Sequence, residues 1–121
     1  MTYEFYKVMH LLGLILLFSG LSSALALKMS GVPFAGPVKK MAFIMHGVGL
    51  VIMVIAGFGL AARMGLMGNM PGWIYAKITI WVVLAISISL AKRKGQIGWP
   101  LMVLFVGLGT TAAWLAVTKP F

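Results

Sequence analysis

The chain has no cysteine and no aspartate, and Glu4 is its only acidic residue. Without cysteine there is no disulfide, thiolate metal site, iron-sulfur cluster or cysteine nucleophile, and thiols say nothing of the redox compartment. A single carboxylate excludes paired-carboxylate chemistry, a serine triad completed by an acid, and a cage of hard oxygen ligands. Any metal chemistry is left to His, Met or a cofactor. Long polar stretches are also missing. Of 121 residues, 62% are hydrophobic and the mean hydropathy is +1.08, far beyond what a water-soluble core of this size needs. The length is that of one domain, and the solvent it calls for is a lipid bilayer.

Ten basic residues give the chain a formal charge of +9. A nucleic-acid surface would interleave Lys and Arg with exposed aromatics along one face. Here most basic residues instead separate apolar runs of about 20 residues, the length that crosses about 30 Å of hydrocarbon as a helix. The sequence therefore predicts no nucleic-acid partner.

The expected fold is an all-α integral membrane protein, a four-transmembrane-helix antiparallel bundle forming a single domain over 1–121. Its spans fall at about 5–27, 41–62, 73–91 and 99–117. Short connections between them make sequential helices antiparallel neighbours. The N-terminal run imitates a secretory signal, with Lys7, an apolar stretch and Ser22-Ser23-Ala24-Leu25-Ala26. It is longer than a usual signal core and Glu4 stands in its leader, so it is expected to persist as the first span.

Basic residues stay on the cytoplasmic side of short loops. Lys28, Lys39, Lys40, Lys92, Arg93 and Lys94 share one face, against Lys7, Arg63, Lys77 and Lys119 on the other. The expected location is the bacterial inner membrane, multi-pass, with both termini periplasmic. Trp73, Trp99, Trp114, Tyr3, Tyr6 and Tyr75 fall near span ends, where amphipathic rings anchor. Gly13 with Gly20, Ser19 with Ser23, Gly49 with Gly57 and Gly59, and Gly107 with Gly109 and Thr111 mark faces where backbones approach closely. Those faces serve helix packing or, beside a ligand, a groove for a flat cofactor.

Ionisable groups inside a span are costly and face the bundle interior, which singles out His10, His46 and Lys77. His10 and Lys77 each lie about 6 to 8 Å below the same boundary at 1.5 Å per residue, and so can share a site. His46 enters from the opposite side, roughly 15 Å away along the normal. The two axial nitrogens of one haem lie about 4 Å apart, so His10 and His46 of one chain cannot share it. For His10 the readings are a hydrogen bond to a backbone carbonyl or Glu4, haem ligation, or proton transfer or ligand capture. For Lys77 they are snorkelling to the headgroups or an inward ammonium facing a haem propionate or an anionic substrate. For His46 they are a bond to Ser22, Ser23, Ser87 or Ser89, or a place on a polar path. Met9, Met41, Met45 and Met70 lie near span ends as soft-ligand candidates, though methionine is mostly apolar filler.

Tyr6-Lys7-Val8-Met9-His10-Leu11-Leu12-Gly13, continuing through Phe18-Ser19-Gly20, resembles the opening helix of the bacterial haem-dependent protoporphyrinogen oxidases and of the copper-resistance D membrane proteins. Pro71-Gly72-Trp73-Ile74-Tyr75-Ala76-Lys77 is similar to the Trp-x-x-x-Lys segment that opens a later helix of those oxidases. The resemblance implies haem b, with His10 as its metal ligand and Lys77 as basic partner and catalytic group. His46 is a further cofactor-binding candidate. The chain departs from the oxidases in lacking their acidic residues and in carrying His46 in the second span. The pattern of His46 to Leu50, Gly57 to Leu60 and the closing Lys119-Pro120-Phe121 is similar to small four-span bacterial membrane proteins.

Two main functions follow as expectations. One is a haem-binding or redox-linked bundle, an oxidoreductase if it turns over a membrane-soluble substrate. The other is a non-enzymatic scaffold or small subunit that forms a homo-oligomer or joins a larger membrane complex. A third is a transporter protomer with His46 and the inner serines along a path, which needs an oligomer to make room for a pore.

Overall fold

A computed structural model describes residues 2–66 and 68–118. Lys119, counted above for orientation, and the closing Lys119-Pro120-Phe121 lie outside the described residues. The chain forms four long helices, α1 (Tyr3–Met29), α2 (Gly36–Arg63), α3 (Gly72–Lys94) and α4 (Trp99–Thr118), with a short 3-10 turn at Gly95–Ile97 before the last. All four are long and apolar enough to cross a membrane. The chain is an all-α, multi-pass membrane bundle. Large apolar side chains point outward from every helix, Val8, Ile15, Ile55, Ile86 and Val117 among them. In lipid that surface needs no cover.

The helices overrun the apolar segments that define the spans. α2 begins at Gly36 rather than near Met41, because Pro37 has the φ and the missing N–H that suit a first turn. Gly36 itself has φ +85°, the left-handed conformation that turns the chain into the helix. Lys28, Lys39, Lys40 and Lys92 to Lys94 therefore ride on helix ends rather than in loops. Helical hydrogen bonding continues past the hydrocarbon edge until a local signal stops it. For α1 the start is Thr2, whose hydroxyl accepts from the Phe5 N–H at 3.1 Å, with Glu4 in the first turn.

α1 and α2 run antiparallel in contact along a seam that repeats every three and four residues. Gly13, Leu17, Gly20 and Ala24 face Ala42, His46, Gly49, Met53 and Ala56, and all nine are buried. This 3.5-residue period is the one that keeps two helices in register as they coil. The approach is backbone to backbone. A Cβ on Gly13 would lie 2.7 Å from the Met53 nitrogen, and one on Gly20 2.5 Å from both the Ala42 oxygen and the His46 nitrogen. A Cβ on Gly49 would lie 2.7 Å from the Gly13 oxygen. α3 packs beside this pair, adding Leu84 and Ile88 to a core that contains Leu17, Leu21 and Leu25. α4 closes the bundle with Leu101 and Phe105, and Phe18 of α1 covers Gly109.

The start of α1, the end of α4 and the α2–α3 connection lie at one end, called here the terminal end. The first and third connections meet at the other, the basic end.

The seam makes a sharp prediction. Gly20→Ala inserts a methyl with no space and is expected to cost about 2 kcal/mol or more. Gly47→Ala, where a Cβ meets nothing within 4 Å, is expected to be neutral or to stabilise by up to about 1 kcal/mol. Unfolding in mixed micelles followed by helicity measures both; equal losses would contradict a glycine-set seam.

Candidate functional site

The site is built around His10, on the third turn of α1 at the terminal end. The α1–α2 seam brings its imidazole across to α2, where Nδ1 lies 2.9 Å from the Met53 carbonyl oxygen. A carbonyl only accepts, so Nδ1–H is the donor and Nε2 carries the lone pair. The ring rests on Gly57, where a Cβ would stand 3.3 Å from Cε1. One turn toward the terminal end, the Tyr6 ring occupies the space over Gly59 in the same way. The two glycines thus seat two rings rather than two backbones, a use that their spacing alone does not separate from helix packing.

Lys77 lies in the second turn of α3, which starts at the same end of the bundle. Its ammonium stands 6.0 Å from the centroid of the Trp73 ring one turn earlier. Trp73 is buried and Lys77 partly so.

His46 is elsewhere. It is 2% exposed and its Nε2–H donates to the Leu84 carbonyl of α3 at 3.0 Å. His10 reaches Met53, seven residues further along α2, so the two imidazoles occupy layers about 10 Å apart at 1.5 Å per residue. His46 was expected to find a serine. Two of the serines bond within their own helices: Ser23 donates to the Ser19 carbonyl at 2.7 Å and Ser87 to the Val83 carbonyl at 2.8 Å. Ser22 reaches the Met102 sulfur at 4.0 Å and Ser89 is exposed. The inner serines do not gather around His46.

Trp81 is the polar residue that sequence reasoning passed over. Its Nε1–H donates to the Leu50 carbonyl at 3.2 Å, making a third bridge from a side chain to a neighbouring backbone. The signal was available, since an indole N–H in mid-span needs an acceptor. The acceptors themselves, carbonyls of Leu50, Met53 and Leu84, leave no mark in a sequence.

Among the described residues no group of three or more His, Cys, Asp or Glu could hold a metal ion. His10 itself offers one imidazole nitrogen, Nε2. A single histidine whose other N–H is tied to a carbonyl could serve as a ligand to haem, because that tie fixes the tautomer and the ring. A shallow recess of about 270 Å³ lies in the α1–α2 groove at this end, lined by Phe5, Tyr6, Met9, Ile52, Ile55 and Ala56. His10 is not among the lining residues. Of the methionine candidates, Met9 alone borders that recess.

Compared with known protein families, curated proteins and solved structures, the chain matches none.

The His46 bridge is expected to contribute about 1 kcal/mol, the scale of interhelical hydrogen bonds in membranes. His46→Leu should lower stability by that amount, whereas Ser89→Ala should change nothing measurable. Unfolding of the two variants in mixed micelles checks this.

Proposed function

We propose that the chain is a redox-linked membrane protein that holds haem b through His10. The observation carrying this reading is the 2.9 Å bond from His10 Nδ1–H to the Met53 carbonyl, which leaves Nε2 as an unprotonated, oriented donor. Lys77 is the cation of the site and pairs with a propionate or with an anionic, membrane-soluble substrate. Haem, when bound, supplies one-electron chemistry; the protein supplies the donor, the counter-charge and an apolar surround. In this reading the likeness to the haem-dependent oxidases and copper-resistance D proteins reflects a shared ligand. The chain resides in the bacterial inner membrane with both termini periplasmic, as its six-to-four division of basic residues favours.

A second reading, a non-enzymatic subunit that oligomerises or joins a larger complex, is favoured by α4. Its outward face carries a recess lined by Met102, Val103, Val106, Gly107, Thr110 and Thr111, and a Cβ on Gly107 meets nothing within 4 Å. Small residues of this kind let a second helix approach closely in lipid.

Oxidised and dithionite-reduced visible spectra of the detergent-purified protein, with and without added haem, distinguish the readings. The redox reading expects a Soret band and reduced b-type peaks that disappear in His10→Ala, persist in His46→Leu, and persist at lower haem affinity in Lys77→Ala. A wild-type protein that stays colourless after haem addition would overturn it in favour of the subunit reading. That reading in turn expects Gly107→Leu to convert an oligomer to a monomer in native electrophoresis.

A further inference from the structure

The basic end holds a second constellation, remote from His10 and serving neither reading above. Lys28, in the last turn of α1, and Lys39, near the start of α2, both direct their ammonium groups at Phe34 of the connecting segment. Their Nζ atoms lie 5.8 and 5.6 Å from that ring's centroid. Phe34 is itself pinned, packing edge-on against Phe43 with centroids 6.2 Å apart and lying against the buried core. The lysines are partly buried rather than free to spread into solvent. Gly95 of the 3-10 turn presses on the Lys28 stem, where a Cβ would lie 2.6 Å from the lysine Cβ. That contact brings the third connection alongside, with Lys92, Arg93 and Lys94 in the turn just before it.

Six cations thus share one end of the bundle, and the sequence has no acid to offset them there. Glu4 is in the first turn of α1, at the opposite end. The carbonyl termini of α1 and α3 favour Lys28 and Lys92 to Lys94, but Lys39 and Lys40 stand near the positive end of the α2 dipole, where a cation is disfavoured. Like charges held together without a counter-ion create a potential that an external anion relieves. Val32, Val38 and Met41 are exposed apolar residues at the same end, so the anion that fits carries hydrocarbon with it.

We infer that Lys28, Lys39 and Phe34 form a binding site for the phosphate of an anionic phospholipid headgroup, with the α3 cations adding to its field. Phe34 acts as the fixed spacer. Its ring face attracts both ammonium groups and holds them at the level where the spans leave the hydrocarbon. The acyl chains lie on the apolar residues beside it.

The experiment uses the full chain in neutral detergent, titrated with phosphatidylglycerol, with phosphatidylcholine and with inorganic phosphate, and bound lipid counted by native mass spectrometry. Phosphatidylglycerol is expected to bind in preference to phosphatidylcholine. Lys28→Gln/Lys39→Gln should weaken it about twenty-five-fold, about fivefold for each ammonium removed near the surface. Lys28→Arg/Lys39→Arg should retain the affinity. The charge-matched Lys7→Gln/Arg63→Gln variant, altered at the terminal end, should behave as wild type. Three results would overturn the site: no preference for phosphatidylglycerol, equal weakening by both glutamine pairs, or competition by inorganic phosphate at concentrations equal to the lipid. Helicity of each variant in detergent confirms that it is folded.

Discussion

The backbone contact between α1 and α2 is the constraint on which the other placements depend. In lipid no hydrophobic force drives two apolar helices together, so association must come from close packing and polar bonds. Gly13, Gly20 and Gly49 remove the side chains that would hold the axes apart. At that separation a side chain from one helix can reach a carbonyl already engaged in the other. The His10 bond to Met53 exists because the seam brings Cα atoms that close, and Gly57 leaves room for the ring. Widening the seam by even a methyl would break the bond before it broke the helices.

A second constraint comes from the solvent. Hydrocarbon offers no partner to an N–H or O–H group, so each polar side chain in a span must bond within the protein. Among the described residues every buried side-chain nitrogen and oxygen has such a partner. The hydroxyls take the cheap route, back to the carbonyl four residues earlier, which asks nothing of a neighbouring helix. The rings of His10, His46 and Trp81 reach across instead, to Met53, Leu84 and Leu50. These three bridges tie α1 and α3 to α2 on its two sides. They also differ in what they leave over. His46 is spent inside the core, whereas His10 keeps Nε2 available at the terminal end.

Much of this was legible in the residues. Four apolar runs divided by basic and glycine-proline segments define four helices and their antiparallel order. Depth counted along the helices separated His10 from His46, because rise per residue is nearly constant. The glycine faces were visible as well. Their division of labour was not: Gly13, Gly20 and Gly49 admit backbone, Gly57 and Gly59 admit rings, and Gly107 faces outward. That division depends on the rotation of each helix about its axis, which weakly amphipathic sequences do not encode. Nor could His46 be assigned to Leu84, since carbonyl acceptors are the same at every residue. The helix ends ran past the apolar segments because Pro37 and Gly36, not hydrophobicity, set where α2 starts.

Which nitrogen of His10 holds its proton decides whether the seam leaves a donor at the site. Nitrogen-15 solid-state NMR of the haem-free chain in bilayers, with histidine labelled and His46→Leu used to separate the two signals, reads it directly. The account predicts a His10 ring protonated at Nδ1, hydrogen-bonded to a carbonyl, with Nε2 unprotonated. A ring protonated at Nε2 with a bare Nδ1 would contradict it, because the seam would then not be orienting His10 on Met53 and the site would have no donor.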